Sequence, residues 1–336
     1  MTTNAVPVQR SLTFVPKLFS TLTGYTRAQL LNDVTAGVIV GIVALPLAIA
    51  FAIASGVTPD RGLATAIVAG FLISAFGGSR VQIGGPTGAF VVIVAGIVGK
   101  HGLDGLLVAT FLAGILLILM GVMKLGGVIK FVPQPVIVGF TSGIAVLIFS
   151  GQIKDALGLT IASLPAEFFE RWQSLAQHVG TVSPAAAGIT ALTLIILLFW
   201  PRVSLKVPAP FVALIVTTLL VQFTGLPVET IGSRFGQVGG GLPTPHVPHV
   251  TMALIRELAG PAFTIALLAA IESLLSAVVA DGMIGGKHRS NMELVAQGIA
   301  NMASPMFGGI PATGAIARTA TNVKSGGRTP IAGITH

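Results

Sequence analysis

Residues 84–90 read GGPTGAF, and residues 308–316 read GGIPATGAI. Each stretch interrupts a chain that is otherwise almost continuously apolar, and each carries glycine, proline and threonine in the same order. The interruption recurs 224 residues on, from Gly84 to Gly308. Everything else in the chain is read around that recurrence.

The 336 residues are 53% hydrophobic and only 9% charged, a balance that excludes an ordinary soluble domain. Runs close to the ~20 apolar residues needed to cross ~30 Å of hydrocarbon lie at about 33–54, 60–77, 104–124, 131–152, 184–200, 206–224, 258–281 and 291–306. Two further runs, 86–99 and 311–323, are too short to span. The first thirty residues carry Arg10, Lys17 and Arg27 with no apolar core ahead of the first span, so no cleaved signal peptide is expected. A multi-pass protein of the inner (plasma) membrane with a cytoplasmic N-terminus is expected. Cysteine is absent, which excludes a disulfide framework, a thiolate metal site and a cysteine nucleophile.

A formal net charge of +8 raises nucleic acid as a partner, but the bases sit singly in short loops without interleaved aromatics. Topology accounts for them better. With the N-terminus inside and both short runs entering as half helices, inside segments hold twelve Lys and Arg residues against six outside, as the positive-inside rule requires; Arg318 is in neither set.

The repeat extends beyond the glycines. GVIVGIVALPLAIAFAIASG (37–56) falls opposite PAFTIALLAAIESLLSAVVADG (261–282), and SRVQIGGPTGAF (79–90) opposite SPMFGGIPATGA (304–315). Seven membrane segments separate the copies, so the second enters from the opposite side: an inverted repeat, as in many secondary transporters. By that pattern a complete second copy would run roughly 110 residues past His336.

Glycine and proline inside a membrane run end one helix and begin another. Extended pieces at Val81–Gly85 and Met306–Ile310 are expected to lead into short helices, with Pro86 and Pro311 at first helical positions. Gly85, Gly88, Gly309 and Gly314 are expected to let a ligand approach the backbone. Two half-helix N-termini from opposite sides would aim unpaired N–H groups at one central point and attract an anion. Thr87 and Thr313 either donate hydroxyl hydrogen bonds to it or cap their own helices.

Glu272 lies mid-span, and Ser276 follows one turn on along the same face. Paired oxygens of this kind suit Na⁺, whereas a carboxylate in an apolar site suits a proton. Arg318 either deepens the positive potential at the anion site and pairs with Glu272, or snorkels to the interface. Asp281 is expected at the cytoplasmic rim. The six histidines show no metal-ligand spacing, and GGG at 239–241 lacks a P-loop lysine, so neither a metal nor a nucleotide site is expected, and PHVPHV (245–250) is at most an external metal site.

On these residues the chain resembles the sulfate permease (SulP) family of anion transporters. The carrying stretches are DVTAGVIVGIVALPLAIAFAIASG from Asp33, GGPTGAF, KFVPQPVIVGFTSGIAVLIFSGQI at 130–153, and ADGMIGGKHRSNMELVAQGIANMASPMFGGIPATGAIARTATNVKSGGRTPIAG at 280–333. The resemblance implies an all-α polytopic fold: a seven-plus-seven inverted repeat like that of nucleobase transporters, incomplete in its second copy, with two half helices each preceded by a short strand. It implies a cytoplasmic segment at 1–30, a core domain at 31–126 and 251–336, a gate domain at 127–225, and an external loop at 226–250. Half the gate and a following cytoplasmic STAS domain would then lie outside this chain.

The implied activity is secondary transport of sulfate or a similar small anion, by an elevator-like motion of core against gate. Thr87, Gly88, Ala89, Phe90, Thr313, Gly314, Ala315 and Arg318 would bind the anion; Glu272 and Ser276 would hold the coupling ion, Na⁺ or H⁺. No other cofactor and no enzymatic reaction are expected; the lipid bilayer and a second copy in a homodimer are the expected partners. Leu47 replaces the glutamine or glutamate many members carry. Glu272 and Ser276 look like the sodium pair of bicarbonate-carrying members, yet Ile316 stands where those have a hydroxyl, and Arg318 is like the basic residue of sulfate-handling ones. A sodium-coupled bicarbonate carrier is thus the alternative within transport, and a non-transporting fragment or partner subunit the alternative outside it.

Overall fold

The structure, a computed structural model, describes residues 14–127, 134–162, 164–165, 167–204, 207–236, 241, 244–245 and 251–336. A short helix α1 (Lys17–Thr21) precedes α2 (Arg27–Ala54) and α3 (Pro59–Phe76). The chain then runs extended into β1 (Gly84–Gly85), a 3₁₀ turn (Gly88–Phe90) and α4 (Val91–Val122). Gly102 breaks α4 with φ 66° and ψ −169°, so a half helix is followed by a separate span. Next come α5 (Gln134–Leu157), α6 (Phe168–Gln177), α7 (Pro184–Val203), α8 (Ala209–Thr224) and α9 (Ile231–Phe235). The second copy supplies α10 (Met252–Ile284), α11 (Ser290–Met306), β2 (Thr313–Gly314), α12 (Ile316–Lys324) and α13 (Pro330–Thr335).

Local chemistry sets several of these boundaries. Thr26 and Gln29 form a reciprocal capping box at the start of α2, and Ser183 caps α7 ahead of Pro184. Left-handed glycines, Gly225 and Gly285, end α8 and α10. Among the described residues, five helices are long and apolar enough to cross a membrane, and α8 is a shorter apolar helix.

α4 lies between α10 and α11, and α2, α3, α12 and α13 close around them. Phe90, Leu106, Leu117, Leu258, Ile265, Leu294 and Ile310 fill the resulting core. Small residues allow the close approach: a methyl group added at Gly298 would fall 2.6 Å from the Gly114 carbonyl oxygen. α5, α7 and α8 behave differently. They pack chiefly on one another or on α6, and α7 buries none of its residues. Leu194, Leu198, Phe199, Leu219 and Phe223 point outward, as lipid-facing side chains do.

The two copies meet through their interruptions. β1 and β2 pair antiparallel, Gly84 opposite Gly314 and Gly85 opposite Thr313. This corrects two sequence expectations. Met306 still belongs to α11, and the second extended piece runs on to Thr313–Gly314. Pro311 therefore stands five residues before α12 instead of opening it, and Pro86 stands two before the 3₁₀ turn. Side-chain hydrogen bonds explain the longer strand: Ile310 N–H donates to Thr65 at 2.7 Å, and the Asn301 amide both donates to Ala312 O at 2.8 Å and accepts from Ala312 N–H at 2.9 Å. These side chains act as the neighbouring strand, and the helix begins only where they stop. The span expected at 258–281 is also longer, since α10 starts at Met252 and absorbs Pro261. α1, α6, α9 and α13 had no counterpart among the expected spans.

Candidate anion site at the crossed strands

Helix α12 of the second copy holds the strand of the first. Asn322 Nδ2 donates to Val81 O at 2.8 Å, Ile83 N–H donates to Thr319 Oγ1 at 3.0 Å, and Ala315 N–H donates to Ile83 O at 2.8 Å. Arg318, only 3% exposed, donates to the carbonyl oxygens of Gly84 and Pro86. Conversely α3 and α11 hold the second strand, through Thr65, Asn301 and a 2.8 Å hydrogen bond from Ser304 to Ile310 O. The first strand thus finds its backbone partners across the molecule, and the second finds Thr65 there and Asn301 and Ser304 close by, since buried polar main chain must be paired.

Both threonines dock on one stretch of α10. Thr313 Oγ1 donates to Ala269 O at 2.9 Å, and Thr87 Oγ1 donates to Glu272 Oε2 at 2.9 Å. Neither hydroxyl caps its own helix. Ser276, fully buried, shares a 3.3 Å hydrogen bond with Thr319, while half-buried Glu272 faces Thr87. Around this stretch lie two sets of unpaired donors. The first turn after Thr87 leaves Gly88 and Ala89 N–H without intrahelical acceptors. In α12 the first helical bond is Thr319 N–H to Ala315 O, which leaves the N–H groups of Ile316, Ala317 and Arg318.

Several expected site residues have partners of their own. Phe90 N–H donates to Thr87 O at 3.3 Å and its ring lies in the apolar core. Ala315 N–H is committed to Ile83 O. Among the described residues no ion pair joins Arg318 to Glu272, and Arg318 does not snorkel; it is spent on the carbonyls of the opposite copy. At each of the four glycines an added side chain would meet protein. A side chain would strike Arg318 at Gly85, Ile148 at Gly88, Ser304 and Thr65 at Gly309, and Gln82 at Gly314. Gly85 also holds φ +143°, a conformation that L side chains rarely adopt. Asp281, placed at the rim, binds the His288 N–H at 2.8 Å and the His288 ring at 2.7 Å. The PHVPHV and GGG stretches lie mostly outside the described residues, as do Arg10, Lys130 and Lys206.

Sequence reading missed a buried network beside the site. Glu293 is 0% exposed, and its carboxylate accepts from Gly78 N–H, Ser79 N–H, Ser273 Oγ and Gln297 Nε2. Ser273 in turn accepts from Gln82 Nε2 at 2.9 Å. A signal existed: Glu293, Gln297 and Asn301 recur every four residues along one face of α11.

Comparison with known proteins places this architecture. The sequence matches the profile of the sulfate permease family over residues 30–336. The chain belongs to the sulfate permease family. YvdB of Bacillus subtilis (strain 168), a candidate sulfate transporter, is 51% identical over 314 residues, covering 93% of this chain and 59% of YvdB. The bicarbonate transporter BicA of Picosynechococcus sp. is 32% identical over 313 residues, 90% of this chain and 55% of its own length. Among solved structures, the transmembrane domain of a cyanobacterial BicA superposes with a TM-score of 0.82 at 33% identity, over 93% of this chain and 80% of that one. The murine anion transporter Slc26a9 in its inward-facing state gives 0.84 over 100% and 60%, at 17% identity, a likeness of fold alone. This family member spans less than two thirds of the length of the curated relatives it matches, and those relatives are named as transporters, not as enzymes.

Proposed function

We propose that this chain forms the anion-binding part of a secondary transporter for sulfate or a similar small oxyanion. One observation carries the reading: two helix N-termini from opposite repeats converge where Thr87 and Thr313 dock on the same turn of α10. The N–H groups of Gly88 and Ala89 on one side, and of Ile316, Ala317 and Arg318 on the other, surround that turn with donors and partial positive charge. The anion takes the Thr87 and Thr313 hydroxyls from their resting partners. Gly314 lets the strands cross beneath it, and the Arg318 guanidinium supplies positive charge while holding the Gly84 and Pro86 carbonyls away.

Glu272, released by Thr87 as the anion binds, and Ser276 take up the coupling ion. In this reading α2–α4 and α10–α13 move as the core, with α5–α8 as the gate they slide against, in the inner membrane and with the N-terminus cytoplasmic. The likeness to BicA, a bicarbonate transporter, supports a second reading, bicarbonate uptake, with Na⁺ as its proposed coupling ion. The test uses the full-length protein in proteoliposomes with labelled sulfate and labelled bicarbonate. Sulfate uptake cut at least tenfold by Arg318→Ala and by Glu272→Gln supports the proposal. Uptake unchanged in both variants overturns the residue roles. Bicarbonate uptake that requires Na⁺ and ignores a pH gradient selects the second reading.

A further inference from the structure

Residues Val15, Pro16 and Lys17 are hydrogen-bonded into one end of the bundle. Lys17 N–H donates to Gly77 O at 2.9 Å, while Arg289 Nη1 donates to Val15 O at 2.7 Å and Pro16 O at 3.2 Å. This clamp sets Lys17 beside Arg289, whose own N–H donates to Gly78 O at 2.9 Å, two residues before Arg80. Partial burial, then Arg289 and Arg80, hold the Lys17 pKa below the usual lysine range, and Asp281 opposes them. Asp281 is already engaged by His288. Among the described residues no carboxylate lies within ion-pair distance of Lys17, Arg80 or Arg289.

Three cations with no carboxylate in ion-pair contact repel one another, and an anion from outside the chain relieves that repulsion. The surroundings say which kind of anion. Phe14, Phe19 and Leu22 are exposed beside them, Phe19 at 63%, and Phe76 is exposed at the nearby end of α3. Leu30 and Leu31, also exposed, open the first span at this level. A free oxyanion would use the cations and leave this apolar rim without a role. A molecule with an anionic head and apolar tails uses both.

We propose that Lys17, Arg80 and Arg289 bind the headgroup of an anionic phospholipid, with Phe14, Phe19 and Leu22 against its acyl chains. The site is separate from the crossed strands and shares none of their residues. Bound lipid bridges the end of α3, the start of α11 and the segment leading into the first span.

The test is lipid retention by the full chain in mild detergent, read by native mass spectrometry during titration with dioleoyl-phosphatidylglycerol or dioleoyl-phosphatidylcholine. Wild type should bind phosphatidylglycerol in clear preference. The double variant Lys17→Ala/Arg80→Ala should bind it roughly thirtyfold more weakly, the effect of removing two cations near an anionic surface. Phe19→Ser should weaken phosphatidylglycerol binding with the cations intact. Equal binding of the two lipids, or a double variant that retains phosphatidylglycerol like wild type, overturns the proposal. So does displacement of the lipid by inorganic phosphate at equal concentration, which would make this a site for the free anion. Both substituted cations lack carboxylate partners, and an unchanged elution profile confirms that the variant is folded.

Discussion

Asp33 is 1% exposed in the second turn of an apolar helix, and its carboxylate accepts four hydrogen bonds. They come from Arg328 N–H at 2.7 Å, Thr329 N–H at 3.2 Å, Thr329 Oγ1 at 2.6 Å and Tyr25 OH at 2.7 Å. The residue joins the start of the first span to the cap of α13. Asp33→Ala strands these donors and should cost about 3 kcal/mol, whereas Asp33→Asn keeps one acceptor and should cost about half that. Denaturant unfolding of the detergent-solubilised protein checks the order, and an Asp33→Ala variant as stable as wild type would remove this latch from the account.

At the level of elements, the motif pair was legible because backbone constraints are written locally. Proline and glycine forbid a continuous helix through 84–90 and 308–316, and an apolar run too short to span has few other uses. Thr87 and Thr313 were legible as polar groups near helix starts, but their partners on α10 were not. Hydrogen bonds such as Thr87 to Glu272 or Asn322 to Val81 join residues 185 and 241 positions apart, and no local pattern reports them. The displaced start of α12 shares that origin in part: Thr65 lies 245 positions from Ile310, whereas Asn301 is 11 from Ala312. Glu293 is the clearest case: it ties α11 to the β1 approach and to α10 at once. Glu293→Gln turns one acceptor into a donor facing donors, at a cost of about 1.5–3 kcal/mol. Amide exchange at Gly78 and Ser79 should therefore accelerate at least tenfold. Exchange left at the wild-type rate would mean that another group holds this junction.

Across the whole molecule, the two bundles touch where Ile148 of α5 and Phe51 of α2 both close over Gly88. A sliding core would have to break that contact on every cycle. These 336 residues hold no cysteine, so Phe51→Cys with Ile148→Cys creates a single reactive pair once any cysteine elsewhere in the full-length protein is replaced by serine. In the full-length protein, mercury bridging of the pair should abolish uptake, and excess thiol should restore it; uptake that continues through the bridge would rule out relative motion at this point. The strand crossing has a different consequence, one for biosynthesis. Val81 O receives its bond from Asn322, so the first strand enters the bilayer long before its partner has left the ribosome. At translation rates of about 5–20 residues per second, that wait lasts roughly 10–50 seconds. Throughout it, unpaired peptide groups lie at membrane depth, and something other than the finished fold must shelter them.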